Sequence, residues 1–350
     1  MRILVFGAGP LGSLLAAHLK QGGLNVTLLA RGKRYENIRE HGLRLKSWRS
    51  GNEETIQIEL IESLQADDCY DLIIVVMRKN SSLKILPILA SNPSENVLFL
   101  MNNAAGPDEL VNALGAKRIM MGFMGAAGYR ENEKIVYLNA EPDRPATIHM
   151  GEIDGRMTAR LEKIASLLEE GRYIKVQLEF NMDAWLKYHV ALLFPAFAPA
   201  LYLCGNDNYR FGRTRDALIL AWRGIREALQ VLRKLRVPVE PPGLKNFMFL
   251  PEPVAIWMLH RLVQNPRMEV ALIRHAEVIR DEIQQLNSEF MRLVQASGLF
   301  TPTIQFLITQ FNGLAQPLPD GSRSLKLNWS GVFIPLMLLM VLVLIVMLIV

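Results

Sequence analysis

The chain has 350 residues, half of them hydrophobic and 21% charged, which suffices for two domains with separate cores and excludes a disordered or low-complexity protein. Its net charge of +5 is mild, and its Lys and Arg residues are interspersed with acids. That balance suits an anionic small molecule, and no nucleic-acid recognition module is legible.

Taken in order, Met1 to about Ala30 reads strand, glycine turn, helix, strand. Arg2 to Phe6 is apolar and β-branched, Leu11, Leu14, Leu15, Ala17 and Leu19 give a helix face, and Gly22-Gly23 stops it. Asp71 to Val76 and Asn96 to Met101 are two more buried strands, separated by a helical stretch from Ser81 to Leu89. Gly122 to Gly128 and Ala146 to Gly155 close this first domain as further strands. Alternating buried strands and helices predict an α/β, Rossmann-type doubly wound parallel sheet over 1–155.

From Arg156 the period turns helical, and residues 156–315 are predicted as an all-α substrate domain with a Pro-rich interruption from Pro238 to Pro251. Residues 316–330 read as a linker. Residues 331–350 carry no charge, with Pro335 the sole helix breaker, and twenty residues at ~1.5 Å rise match the ~30 Å hydrocarbon layer. The expectation is a C-terminal transmembrane helix, with Arg323 and Lys326 before it keeping the remainder on the cytoplasmic side; the alternative is a buried core helix. Cys69 and Cys204, far apart in apolar surroundings, suggest a reducing compartment with no disulfide framework. Neither the cysteines nor the six histidines have metal-type spacing, so no metal site is expected.

The chemistry concentrates at strand ends. Gly7-Ala8-Gly9-Pro10-Leu11-Gly12 is a GxGxxG set between a strand and a helix, where free N–H groups and the helix dipole favour a dinucleotide pyrophosphate. After the second strand, Arg31, Lys33 and Arg34 stand where a carboxylate would read a ribose 2′-hydroxyl. Cations there suit a 2′-phosphate, with Arg31 the main contact and Lys33 a second, so the expected cofactor is NADPH. Arg78, Asn102 and Asn103 follow later strands at the same edge. Lys187, beside a long apolar helix, either snorkels to the surface or presents its amine to a site. Glu282 lies among charged neighbours, for which a solvated helix face is the plainest reading.

These segments together resemble the ketopantoate reductase family over roughly residues 1–303. MRILVFGAGPLGSLLAAHL, VTLLARGKRYENIREHGLRL, DLIIVVMRKN, the Asn102-Asn103 turn, HMGEIDG, WLKYHVAL and RDEIQQLNSEFMRLVQASGLFTPT carry the likeness. The resemblance implies NADPH-dependent reduction of 2-dehydropantoate to pantoate. It implies that Gly7, Gly9 and Gly12 form the phosphate loop and that Arg31 meets the 2′-phosphate. It places Asn103 beside nicotinamide and substrate, makes Lys187 the general acid, and has Glu282 hold the substrate hydroxyl. Three positions depart from the family: Ala104 where it has Gly, Arg78 where it has Lys, and Ala191 where it has an Asn. They leave two alternatives open, a reductase of another ketone and a membrane-tethered NADPH-binding protein without catalysis. The expected partners are a 2-keto acid, the membrane through the tail and, as an open alternative, a second copy of the chain.

Overall fold

The computed structural model describes residues 1–273, 280–313 and 316–333. The chain divides into two compact units: one holds Met1–Val190 with the described residues of 270–290, the other Ala191–Glu269 with the described residues from Met291 on. The first unit therefore runs past residue 155 and takes in the Lys187 helix and the first half of the helix Arg280–Ser297.

Twelve strands build the first unit: β1 (Arg2–Phe6), β2 (Asn25–Leu29), β3 (Leu43–Ser47), β4 (Glu53–Ile56), β5 (Glu59–Ile61), β6 (Leu72–Val75), β7 (Val97–Leu100), β8 (Ile119–Gly125), β9 (Ala127–Glu131), β10 (Lys134–Leu138), β11 (Ala146–Glu152) and β12 (Ile174–Leu178). Eight of them form one sheet in the order β12-β11-β8-β7-β6-β1-β2-β5, parallel except where β11 meets β8. A strand buried on both faces needs apolar side chains at every position, which RILVF and LIIV supply. Ile3 and Val5 enter the core on one face while Leu4 and Phe6 enter the other.

A second sheet, β4-β3-β10-β9, is smaller. Helix α1 (Pro10–Gln21) is buried continuously from Gly12 to Leu19, and its side chains share one core with Ile3 and Val5 of the large sheet and Leu43, Leu45, Ile135 and Tyr137 of the small one. A helix covered on two sides loses its polar face, which is why its sequence is apolar nearly all round.

The second unit is helical and centres on Arg215–Lys234, twenty residues with twelve buried. Residues 316–330, expected as a linker, are instead bound along this helix. Asp216 accepts hydrogen bonds from the Ser324 and Leu325 amides at 2.9 Å each, Arg223 donates to the Lys326 carbonyl at 2.8 Å, and Arg213 grips Asp320 at 2.7 Å. The membrane expectation is corrected. Among the described residues no helix is long and apolar enough to cross a membrane. Of the expected anchor 331–350, only 331–333 are described: Gly331 lies against Pro251 and Phe333 against the Trp329 ring. Residues 334–350 lie outside the described residues.

Candidate active site

Parallel register brings the strand ends level. Phe6 is paired with Leu29 on one side and with Val75 on the other, and Val75 with Phe99. The segments leaving β1, β2, β6 and β7 therefore emerge at one carboxyl edge. The chain turns from β1 to β2 on one side and to β6 on the other, which opens a crevice at the end of β1.

The first wall of that crevice is the turn Gly7–Gly12. Gly7 has φ +119°, closed to other residues, and a Cβ on Gly12 would fall 1.9 Å from the Gly7 carbonyl oxygen. Gly9 differs: a Cβ there would meet nothing within 4 Å, so its backbone faces open space. Pro10 starts α1 without a side-chain cap, leaving Leu11 and the first-turn amides to an anion. A pyrophosphate fits this cradle.

The basic segment after β2 splits in two. Arg34 turns inward, donating to Glu133 at 3.2 Å and to Ser13 at 3.3 Å, and burial lowers its pKa to about 10. Arg31 and Lys33 stay exposed. The Arg31 guanidinium carbon lies 5.7 Å from the Phe6 ring, just before the glycine turn. Arg31 and Lys33 are thus the two cations of this segment left exposed just after β2.

Beyond β6, Arg78 reaches Asp281 at 2.5 Å and remains 41% exposed. Its neighbour Lys79, absent from the expected site, is 1% exposed and holds Glu289 at 2.9 Å and Asn103 Oδ1 at 2.7 Å. The signal missed was a second cation one residue further along, where the chain has already turned back towards the core.

After β7, Asn103 is 1% exposed and its amide is taken up by its own turn. Oδ1 accepts from the Ala105 and Gly106 amides at 3.1 and 3.2 Å, and Nδ2 donates to the Gly106 carbonyl at 2.8 Å. Ala104 is fully buried. Asn102 points elsewhere. It donates to Glu282 at 3.3 Å, and its Oδ1 is buried with no partner among the described residues.

Glu282 is 3% exposed, and burial pushes its carboxyl pKa up, against the pull of Asn102 and Arg78. Glu289 lies two turns on along the same helix, on the same face at ~100° per residue. It was missed because a repeat of Glu282, Gln285 and Glu289 reads as a solvated stripe.

Lys187 comes from the helix Met182–Leu193. Trp185 and His189 of that helix stack at 5.2 Å, Trp185 on His149 at 4.4 Å and His189 by Phe123 at 4.1 Å, fixing that face on β8 and β11. Asp183 and Lys187 sit on the opposite face, ion-paired to each other. A Cβ on Gly106 would be 3.7 Å from Lys187 Nζ and 3.5 Å from Asp183 Oδ1. The amine therefore sits against the Asn103–Gly106 turn. Ala191, one helical turn on, is fully buried.

A glycine cradle at a helix N-terminus, a crevice at a strand-order switch and buried titratable groups beside it define a Rossmann-type dinucleotide-binding oxidoreductase. Residues 3–155 match the family model described as ketopantoate reductase PanE/ApbA. The 2-dehydropantoate 2-reductase of Archaeoglobus fulgidus is 23% identical over 284 residues, covering 80% of this chain and 91% of that relative. An uncharacterised oxidoreductase of Bacillus subtilis is 26% identical over 247 residues, 69% of this chain and 78% of its own length. Among solved structures, 2-dehydropantoate 2-reductase from Geobacter metallireducens superposes with a TM-score of 0.71 at 19% identity, covering 89% of this chain and 99% of that one. D-mandelate dehydrogenase with NADH and anilino(oxo)acetate gives 0.73 at 18%, covering 89% and 97%. Residues 3–155 therefore match the ketopantoate reductase domain, and most of the chain is similar to relatives of that family, oxidoreductases that act on a keto group and use NADPH.

Proposed function

We propose that the protein reduces a 2-keto acid with NADPH, 2-dehydropantoate first among the candidates. The observation that carries this reading is the amine of Lys187, held against the Asn103–Gly106 turn at the carboxyl edge of the sheet. Arg31 and Lys33 would take the 2′-phosphate, and the amides around Gly9 the pyrophosphate. When bound, the nicotinamide supplies a hydride. Reduction of a ketone builds negative charge on its oxygen, so a proton donor must already stand there. Lys187 gives that proton to the oxygen, closes the hydroxyl, and regains one from solvent. Glu282, kept from ionising freely by burial, accepts or donates a hydrogen bond to a substrate hydroxyl together with Asn102. Asn103 acts from behind, by shaping the turn.

A second reading, reduction of a bulkier ketone, rests on Ala191, which stands where the family that the chain resembles has an Asn. One experiment separates the readings. Purified protein is given NADPH and a panel of 2-keto acids, and loss of NADPH absorbance is followed for wild type and Lys187→Ala. Preference for 2-dehydropantoate supports the first reading and preference for an aromatic or bulky 2-keto acid the second; no turnover on any overturns both.

A further inference from the structure

Glu289 belongs to neither the cofactor cradle nor the group around Lys187, yet it is 1% exposed and four donors converge on it. Oε2 accepts from the successive backbone amides of Ala104 and Ala105, both at 3.2 Å. Oε1 accepts from Lys79 at 2.9 Å and from Gln285 at 2.9 Å. Lys79 in turn donates to Asn103 Oδ1, the atom that also collects the Ala105 and Gly106 amides. One carboxylate therefore holds the turn twice, directly by its backbone and indirectly through Lys79 and Asn103. The far side of that turn is where Lys187 Nζ and Asp183 lie.

We propose that Glu289 is a positioning residue for the reduction: through Lys79 and the Ala104 and Ala105 amides it fixes the turn that sets the Lys187 amine at the substrate ketone. The inference rests on the reductase reading. A charged acceptor is required, because a neutral one cannot balance the Lys79 ammonium where both side chains are 1% exposed. With the clamp loosened, the turn and the amine beside it shift together, and a displacement of about 1 Å at a reacting group costs roughly 10²-fold in rate. Glu289 and Lys79 are each 1% exposed and spend their polar atoms on protein partners, so the loss is expected to fall on kcat.

The test uses the full chain with Glu289→Gln, Glu289→Asp, and Lys187 followed by NMR of 13Cε-labelled lysine, assigned with Lys187→Arg. Glu289→Gln is expected to lower kcat about 10²-fold with NADPH affinity unchanged, and to move the Lys187 resonance and its titration. Glu289→Asp keeps the charge on a shorter arm and should restore part of both; it also stands in should the Gln variant not fold. A folded Glu289→Gln protein whose Lys187 resonance and titration match wild type overturns the proposal. If wild type reduces no 2-keto acid, the functional reading fails separately, and the Lys187 resonance still decides whether Glu289 positions that amine.

Discussion

Lys79 Nζ and Glu289 Oε1 face each other at 2.9 Å with both side chains 1% exposed. Water cannot replace either partner, so the pair is costly to break from one side only. Losing one partner of a buried pair costs ~3–5 kcal/mol, whereas exchanging both for apolar groups is often neutral. Lys79→Met should therefore lower stability by about that amount. Lys79→Met with Glu289→Leu should recover part of it, less the cost of the Ala104 and Ala105 amides left unpaired. Urea unfolding of the three proteins checks this; a double variant no better than the single one would remove the ion pair from the account.

Lys187→Ala should lower kcat by ~10²–10⁴-fold, the usual worth of general acid catalysis, while NADPH binding stays nearly intact. Lys187→Arg should rescue poorly, since a guanidinium keeps the charge but hardly yields a proton. Steady-state kinetics on the best 2-keto acid decide the matter. Near-normal kcat in the Ala variant would leave Lys187 as a partner of Asp183 and nothing more.

Cofactor choice should rest on Arg31. Its charge-assisted contact is worth ~1.5–3 kcal/mol, so Arg31→Ala should weaken NADPH binding roughly tenfold to a hundredfold and barely alter NADH binding. Titration of both nucleotides by fluorescence measures it. Equal wild-type affinity for the two would exclude the assignment.

Gly9 and Gly12 should part company when changed to Ala. At Gly12 the new Cβ would stand 1.9 Å from a backbone oxygen, so strand and helix must separate, at ~1–3 kcal/mol or more. At Gly9 the methyl meets nothing within 4 Å, so the fold should hold while a pyrophosphate loses its close approach. Thermal melts with and without NADPH distinguish them: Gly12→Ala melts early in both, Gly9→Ala only fails to gain from the nucleotide.

His189 supplies a pH dependence. Burial, helped by His149, lowers its pKa to about 4 from 6.5, so the folded protein holds it neutral while the unfolded chain takes up a proton. The contribution is present above 6.5 and is lost as pH falls towards 4. At ~1.4 kcal/mol per unit this reaches up to about 3 kcal/mol. His189→Gln should flatten the melting temperature between those pH values; an unchanged acid slope would assign it to other groups.

The sequence disclosed the parts whose chemistry is local. β1, the glycine turn, α1 and β2 follow from a continuous apolar run, three glycines and a helical face, and they stand where the pattern put them. The small sheet did not show. β3 is LRLKS, five residues with Arg and Lys on the outer face, and its pairing with β4 and with β10, about ninety residues on, makes it a strand. The site divides the same way. The cradle was legible because backbone shape dictates glycine, whereas Lys79 and Glu289 matter through a contact across 210 residues of chain. The anchor was drawn from hydropathy alone, and the described residues do not provide it.

The first unit is discontinuous, and that sets an order of assembly. The stretch matched by the family model ends at residue 155, yet Glu282 and Glu289 are translated only after the intervening helical segment Ala191–Glu269. A nascent chain can build the glycine cradle early, since β1, α1 and β2 are contiguous. It cannot neutralise Lys79 or fasten the Ala104 and Ala105 amides until the distant helix has been made and has returned. Closing so long a loop adds entropy to be overcome, though the cost rises only as the logarithm of its length. The glycine turn is thus an early feature of the growing polypeptide, and the ordered turn beside Lys187 a late one.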